Sequence, residues 1–186
     1  MKRRTFIKSV AGSLSAIALN TPLNAMASGS QEQPKYAPLK LHNLHTGERL
    51  AIAYADGTGY NADALAQIAH LLRDRRTKEV HPIDVRVLDF LSSISQQIGT
   101  EKEIGIISGY RSPKSNAKLA NSSNGVAKRS LHMQGKAIDF RVNEVKLSQL
   151  RDIAWQCQSG GVGYYPKDQF IHIDCGRTRF WGWHPS

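Results

Sequence analysis

The run Ser130-Leu131-His132-Met133-Gln134-Gly135-Lys136-Ala137-Ile138-Asp139, answered further along by Phe170-Ile171-His172-Ile173-Asp174, holds the residues best suited to chemistry. Two imidazoles (His132, His172) and one carboxylate (Asp139) make three ligands for a zinc ion. Three ligands leave one position of a tetrahedron open, where a water can be held and made acidic. A single histidine would mean little. Here His132 and Asp139 have the spacing of a loop ligand followed by a strand ligand, with Gly135 allowing a tight backbone between them. Ala137, on the same strand face as Asp139, keeps that face clear for an ion. His172 and Asp174 alternate in a strand-like run and share a face.

Positioning these groups requires rigid elements on both sides. Residues 39–43 and 49–54 read as a hairpin around His45-Thr46-Gly47-Glu48, ended by Asp56-Gly57-Thr58-Gly59. Asn61 is a good cap for a helix carrying Leu65, Ile68, Ala69, Leu71 and Leu72, which the charged run Arg73-Asp74-Arg75-Arg76 closes. His81-Pro82 opens a second helix with the stripe Val85, Leu88, Leu91, Ile94 and Ile98, and Gly99 stops it. Residues 103–108 read as a buried strand, broken by Gly109-Tyr110-Arg111-Ser112-Pro113, which starts a short helix through residue 120. A polar loop spans 121–129. A strand over 136–141, an amphipathic helix over 147–158 and a hairpin of 161–165 with 170–174 complete the pattern. It predicts an α+β domain, with helices packed on a small, mainly antiparallel sheet.

The N-terminus predicts export. Arg3-Arg4-Thr5-Phe6-Ile7-Lys8 precedes a weakly apolar run from Val10 to Leu19 and the small residues Ala25-Met26-Ala27, the pattern of a twin-arginine signal over residues 1–27. Residues 28–38 read as a flexible tether and residues 39–186 as one domain of ordinary size. No apolar stretch approaches the roughly twenty residues of a membrane span. The chain carries 25 Lys and Arg against 15 Asp and Glu; the leader takes four basic residues (Lys2, Arg3, Arg4, Lys8) and no acidic one, leaving a formal charge of +6. Such a charge favours anionic partners. Nucleic acid fits poorly, because the basic residues are scattered without interleaved aromatics; an anionic cell-wall polymer fits an exported chain better. Cys157 and Cys175 stand open as a pair or as two buried free thiols.

Ser108-Gly109-Tyr110-Arg111-Ser112, the His132 to Asp139 motif, and Gly161-Val162-Gly163-Tyr164-Tyr165 through Phe170-Ile171-His172-Ile173-Asp174 together resemble the zinc D-Ala-D-Ala metallopeptidase family. The Asn43-Leu44-His45-Thr46-Gly47-Glu48 stretch and the twin-arginine leader bring the likeness closest to its murein endopeptidase K group. The resemblance implies the hedgehog-type fold of that family and one zinc ion per chain, held by His132, Asp139 and His172. It implies that Arg111 binds substrate and steadies the charge developing on the carbonyl oxygen. It also implies a periplasmic enzyme, exported by the twin-arginine machinery, that acts on peptide stems and cross-links of peptidoglycan, with the bond between two meso-diaminopimelate residues as target. The same metal set serves D,D-carboxypeptidases, dipeptidases and L-alanyl-D-glutamate endopeptidases, and would also suit a non-catalytic peptidoglycan-binding module.

One role departs from the family pattern. Many members carry a glutamate base three residues before the last histidine, and this chain has Gln169 there, which cannot accept a proton. Asp168, Asp174 and His184 remain as acceptors, or hydrogen bonds and the zinc alone suffice; Asp174 is read as a catalytic-site residue that acts either there or by orienting a ligand. Ser130 is expected to line the pocket and Gln134 to contact substrate. Tyr164, Tyr165, Trp181 and Trp183 either wall a groove or close the core.

Overall fold

A computed structural model describes residues 37–122, 127 and 129–184. The expected leader, most of the tether and most of the loop tip at 123–128 lie outside the described residues. The first hairpin pairs β1 (Leu39–Asn43) with β2 (Arg49–Ile52) in antiparallel register. Asn43 ties its turn, accepting from the N–H groups of His45 and Thr46 at 3.0 and 3.2 Å and donating to the Leu71 carbonyl at 2.8 Å. The segment expected only to end this hairpin forms a second, two-stranded sheet of β3 (Ala55–Asp56) and β4 (Gly59–Tyr60). Asn61 then caps α1 (Ala62–Leu71) by accepting from the Ala64 N–H, and Asp84 caps α2 (Val85–Ile98) by accepting from that of Arg86.

After β5 (Ile104–Ser108) come α3 (Pro113–Ser122), a single 3-10 turn at Leu131–Gln134, β6 (Ala137–Arg141), α4 (Leu147–Gln156), β7 (Gly161–Tyr165), β8 (Phe170–Asp174) and β9 (Arg179–Trp181). The main sheet runs β2-β1-β5-β6-β8-β7-β9. Its β1–β5 and β7–β9 joins are parallel and the other four antiparallel, so the expected α+β, mainly antiparallel architecture holds, on a wider sheet than the short strands suggest.

The period of two along each strand sorts the sheet into two faces. Ile138 and Phe140 of β6, Ile171 and Ile173 of β8, and Val162 of β7 are buried in the hydrophobic core, which α2 and α4 also help to form. Full burial of each such side chain stabilises by roughly 1.5–3 kcal/mol. The alternate residues, Ala137, Asp139, Gly161, Gly163, His172 and Asp174, share the opposite face. At these positions the face is polar or small, so it carries the site.

The Arg73–Arg76 run does more than end α1. Asp74 within it is 2 % exposed and accepts from the backbone N–H groups of Ser112 at 2.7 Å, Arg76 at 2.7 Å and Thr77 at 3.2 Å. Burial pushes its pKa up, but the donors around it, the N–H groups of Ser112 and Arg76 among them, win and hold the carboxyl below its ordinary range. Alanine at position 74 would strand these buried donors. We expect Asp74→Ala to lose about 3 kcal/mol of stability and to melt about 10 °C lower by circular dichroism. Because the folded pKa is depressed, Asp74 stabilises above the unfolded carboxylate range, and this contribution fades as pH falls below it. The melting temperature of Asp74→Ala should therefore approach that of the parent in acid.

Candidate metal centre

Asp139 and His172 meet because they are direct partners in the β6–β8 ladder. Cross-strand neighbours on one face hold their Cβ atoms roughly 4.5–5.5 Å apart, which brings the His172 ring onto the carboxylate: its Nδ1 lies 2.8 Å from Asp139 Oδ1. His132 arrives from the 3-10 turn, with Nε2 at 3.2 Å from Asp139 Oδ1 and 3.2 Å from His172 Nδ1. Within the turn, Gly135 is required twice over: its φ is +64°, and a Cβ there would lie 2.1 Å from the Pro82 carbonyl oxygen. The donor atoms of His132, Asp139 and His172 all lie within 4.8 Å of one another, buried, in a set that could hold a metal ion.

The opposite ends of both imidazoles decide what the convergent ends offer. His132 Nδ1 is 2.7 Å from the Gly109 carbonyl oxygen, to which it donates, leaving Nε2 as a lone pair aimed at Asp139. His172 Nε2 is 3.0 Å from Asp174 Oδ2, and donation there leaves its Nδ1 facing Asp139 Oδ1. Two lone pairs and a carboxylate oxygen repel one another unless a cation joins them. Burial lowers the His172 pKa, yet the hydrogen bonds and charges of Asp139 and Asp174 lift it to about 9. Asp139 is driven the other way, its carboxyl held well below the ordinary range by both histidines against the effect of burial. The donor set fits a divalent cation.

Asp174 is placed behind His172, away from the ion's side. It is fully buried and accepts from Arg179 Nη1 at 2.9 Å and Nη2 at 2.7 Å and from the Gly176 N–H at 2.8 Å, besides His172. Both oxygens of this carboxylate are thus occupied, and its bond to Nε2 fixes the His172 ring. Gly161 gives the Arg179 guanidinium its room: a Cβ there would lie 2.2 Å from Nη1.

Arg111 reaches the centre from the loop after β5. A register shift between Ile106 and Ser108 sets Ser108, not Ile107, opposite Asp139. The guanidinium Nη2 lies 3.7 Å from Asp139 Oδ2 and 3.4 Å from Ser108 Oγ, and the Arg111 N–H donates to the His132 carbonyl at 3.1 Å. Burial lowers its pKa and the Asp139 charge offsets part of that; a guanidinium stays charged regardless.

A cavity of about 620 Å³ lies over these groups, and Ser130, Asp168, Tyr165 and Trp181 line it. The aromatic residues divide by strand parity. Tyr165 and Trp181 stand on the site face, with Trp181 Nε1 donating to Tyr165 Oη at 2.8 Å, whereas Tyr164 and Trp183 pack with Arg151 on the core side. Gln134, expected to contact substrate, is not among the residues that line the cavity. It lies in the 3-10 turn, and its exposed side chain accepts from Lys136 Nζ at 3.0 Å. Gln169, at φ +58°, donates its amide to the Pro166 carbonyl within the β7–β8 turn. His184 packs on Phe180, also outside the cavity lining. Cys157 and Cys175 are both free.

Arg179 is the contributor that sequence reasoning missed. Its only signal is the alternation Arg179-Phe180-Trp181 next to a glycine, which reads as a strand once β7 is known to accept a parallel neighbour.

A family model described as peptidoglycan L,D-endopeptidase MepK matches residues 31–181. The chain is 42% identical over 168 residues to the peptidoglycan L,D-endopeptidase MepK of Escherichia coli (strain K12), covering 90% of each chain. It matches the Shigella flexneri protein of the same name to the same extent. With the probable peptidoglycan L,D-endopeptidase MepK of Haemophilus influenzae it shares 39% identity over 173 residues, 91% of this chain and 92% of that one.

Proposed function

The chain belongs to the peptidoglycan L,D-endopeptidase MepK family, and on that premise we propose that it is a zinc peptidase of the cell wall that hydrolyses amide bonds in peptidoglycan cross-links. The observation that carries this reading is the convergence of His132, Asp139 and His172 beneath an open cavity, with the Arg111 cation beside them. A zinc ion held by those three residues would supply a Lewis acid that acidifies water and polarises a carbonyl.

The chain's own groups do the rest. Gly109 and Asp174 fix the two imidazoles so that only one nitrogen of each faces the ion. Arg111 presents a preorganised positive charge to the oxygen on which charge develops. Of the three proton acceptors left open by the sequence, Asp168 alone stands exposed on the cavity wall. Asp174 is saturated and His184 lies elsewhere, so Asp168 is the group to take the proton. The target we assign is the L,D bond between two meso-diaminopimelate residues, supported by the names of the relatives and the likeness of motifs. Residues 1–27 would then be a leader for the twin-arginine route, cleaved near Ala27, and the periplasm the place of action. No helix among the described residues is long and apolar enough to cross a membrane.

The test is turnover of purified muropeptides by the mature chain, with products identified by mass spectrometry. Cross-linked dimers should gain one water and fall to monomers. Loss of terminal D-Ala alone would make it a carboxypeptidase, and no cleavage with zinc bound would leave a binding module.

A further inference from the structure

A second cavity, of about 170 Å³, adjoins the metal centre, and Arg111 and Asp139 line both. Its other walls come from parts of the chain with no role in holding metal. They include the β1–β2 turn at His45, the Arg73–Arg76 run, the end of β5 and Leu119 of α3. Pockets that enclose a whole small ligand are larger, roughly 300–1,000 Å³. This one suits the end of a ligand whose remainder lies over the metal centre.

Its charge indicates which end. Three arginines of one short run face it, and one is already committed: Arg73 pairs with Glu48 at 2.9 Å and donates to the His70 carbonyl at 2.6 Å. Arg75 and Arg76 are exposed on the wall, and among the described residues neither guanidinium has a hydrogen bond or an ion pair. Asp74, between Arg73 and Arg75, reaches Arg75 through its charge alone, since its oxygens are occupied by backbone N–H groups. On the facing turn, burial and the charges of Arg75 and Arg76 push the His45 pKa down, so that imidazole adds no charge. The Arg76 charge also acts on Arg111, lowering its pKa alongside the larger effect of burial. Asp74 and Asp139 on the same walls offset part of this positive charge, and the remainder is costly until a further anion joins it.

The framework holds this arrangement firmly. Asn43 fixes the turn, Glu48 ties it to Arg73, and Asp74 ties the arginine run to Ser112 beside Arg111. The Asn43-Leu44-His45-Thr46-Gly47-Glu48 motif thereby gains a task that the metal centre does not give it.

We propose that Arg75 and Arg76 form a carboxylate subsite that takes a free carboxylate of the stem peptide while the amide to be cut lies over His132, Asp139 and His172. The inference rests on the peptidoglycan reading above. Its chemistry is plain: a meso-diaminopimelate residue acylated on one amino group in a cross-link keeps a free carboxylate on the carbon that bears the amide nitrogen. A γ-linked D-glutamate keeps its α-carboxylate and is the second source of the same group.

Isothermal titration of the zinc-loaded mature chain with L-alanyl-γ-D-glutamyl-meso-diaminopimelate tests the subsite without any cleavage. Three probes are compared: the free acid, the peptide amidated on diaminopimelate, and the peptide amidated on D-glutamate. Loss of charge-assisted bonds in R75Q/R76Q should weaken Kd for the free acid about tenfold or more. One of the amidations should weaken binding to the parent as much, and add nothing in the variant. The amidation that does so identifies the carboxylate. Both arginines are exposed, so zinc content and melting temperature should match the parent. An unchanged Kd in R75Q/R76Q, losses that multiply when amidation and substitution are combined, or no binding by the parent would each overturn the subsite. Failure to cleave muropeptides despite this binding pattern would overturn the proposed activity alone.

Discussion

His132→Ala is expected to lose zinc and, with it, the rate. His132 is 3 % exposed, and its Nδ1 bond to the Gly109 carbonyl commits Nε2 to the centre. Alanine leaves Asp139 and His172 as the remaining ligands on the described face. Asp174, the nearest further carboxylate along β8, is engaged by Arg179, Gly176 and His172 and does not replace the missing group. The loss of several kcal/mol of charge stabilisation corresponds to a fall of more than about 10³-fold in turnover. Metal analysis after dialysis and muropeptide turnover measure the two effects together. Stoichiometric zinc with an undiminished rate would remove His132 from the ligand set.

This prediction rests largely on features legible in the sequence. The glycine at 135, the alternation around Asp139 and the alternation around His172 each report local geometry, and the ladder only had to bring the strands side by side. Parity was legible too. With Gly163 opposite His172, Tyr165 has to share the site face and Tyr164 the core face. What stayed hidden depends on contacts between distant segments. Asp74 sits in a charged run, and nothing nearby announces that the Ser112 N–H will bury it. β5 reads as an unbroken apolar strand, while the shift that turns Ser108 toward Asp139 arises from its pairing with β6. The short strand β9 joins β7 in parallel, a pairing with no turn signal. Arg179 came with it, which is why the sequence alone left Asp174 between proton acceptor and orienting group.

Arg111→Ala should separate holding the metal from using it. The guanidinium stands 3.7 Å from Asp139 Oδ2, on the side away from the oxygen that both histidines face, and its contacts to Ser108 and Asn116 are long at 3.4 and 3.5 Å. It is therefore not locked into a tight pair that spends its charge, and Asp139 Oδ1 keeps both histidines without it. The loop itself is held by backbone bonds that alanine retains, from Tyr110 to Leu72 at 2.8 Å and from Arg111 to His132 at 3.1 Å. Zinc content should accordingly stay at one per chain. Removal of a preorganised donor to a developing oxyanion costs about 10²–10³ in kcat, and a loss of that size with zinc retained is the expected result. Arg111→Lys should recover only part of it, because a point charge on a flexible stem does not reproduce the guanidinium fork. A full rate in Arg111→Ala would refute the role, and loss of zinc would show instead that Arg111 stabilises the centre through Asp139.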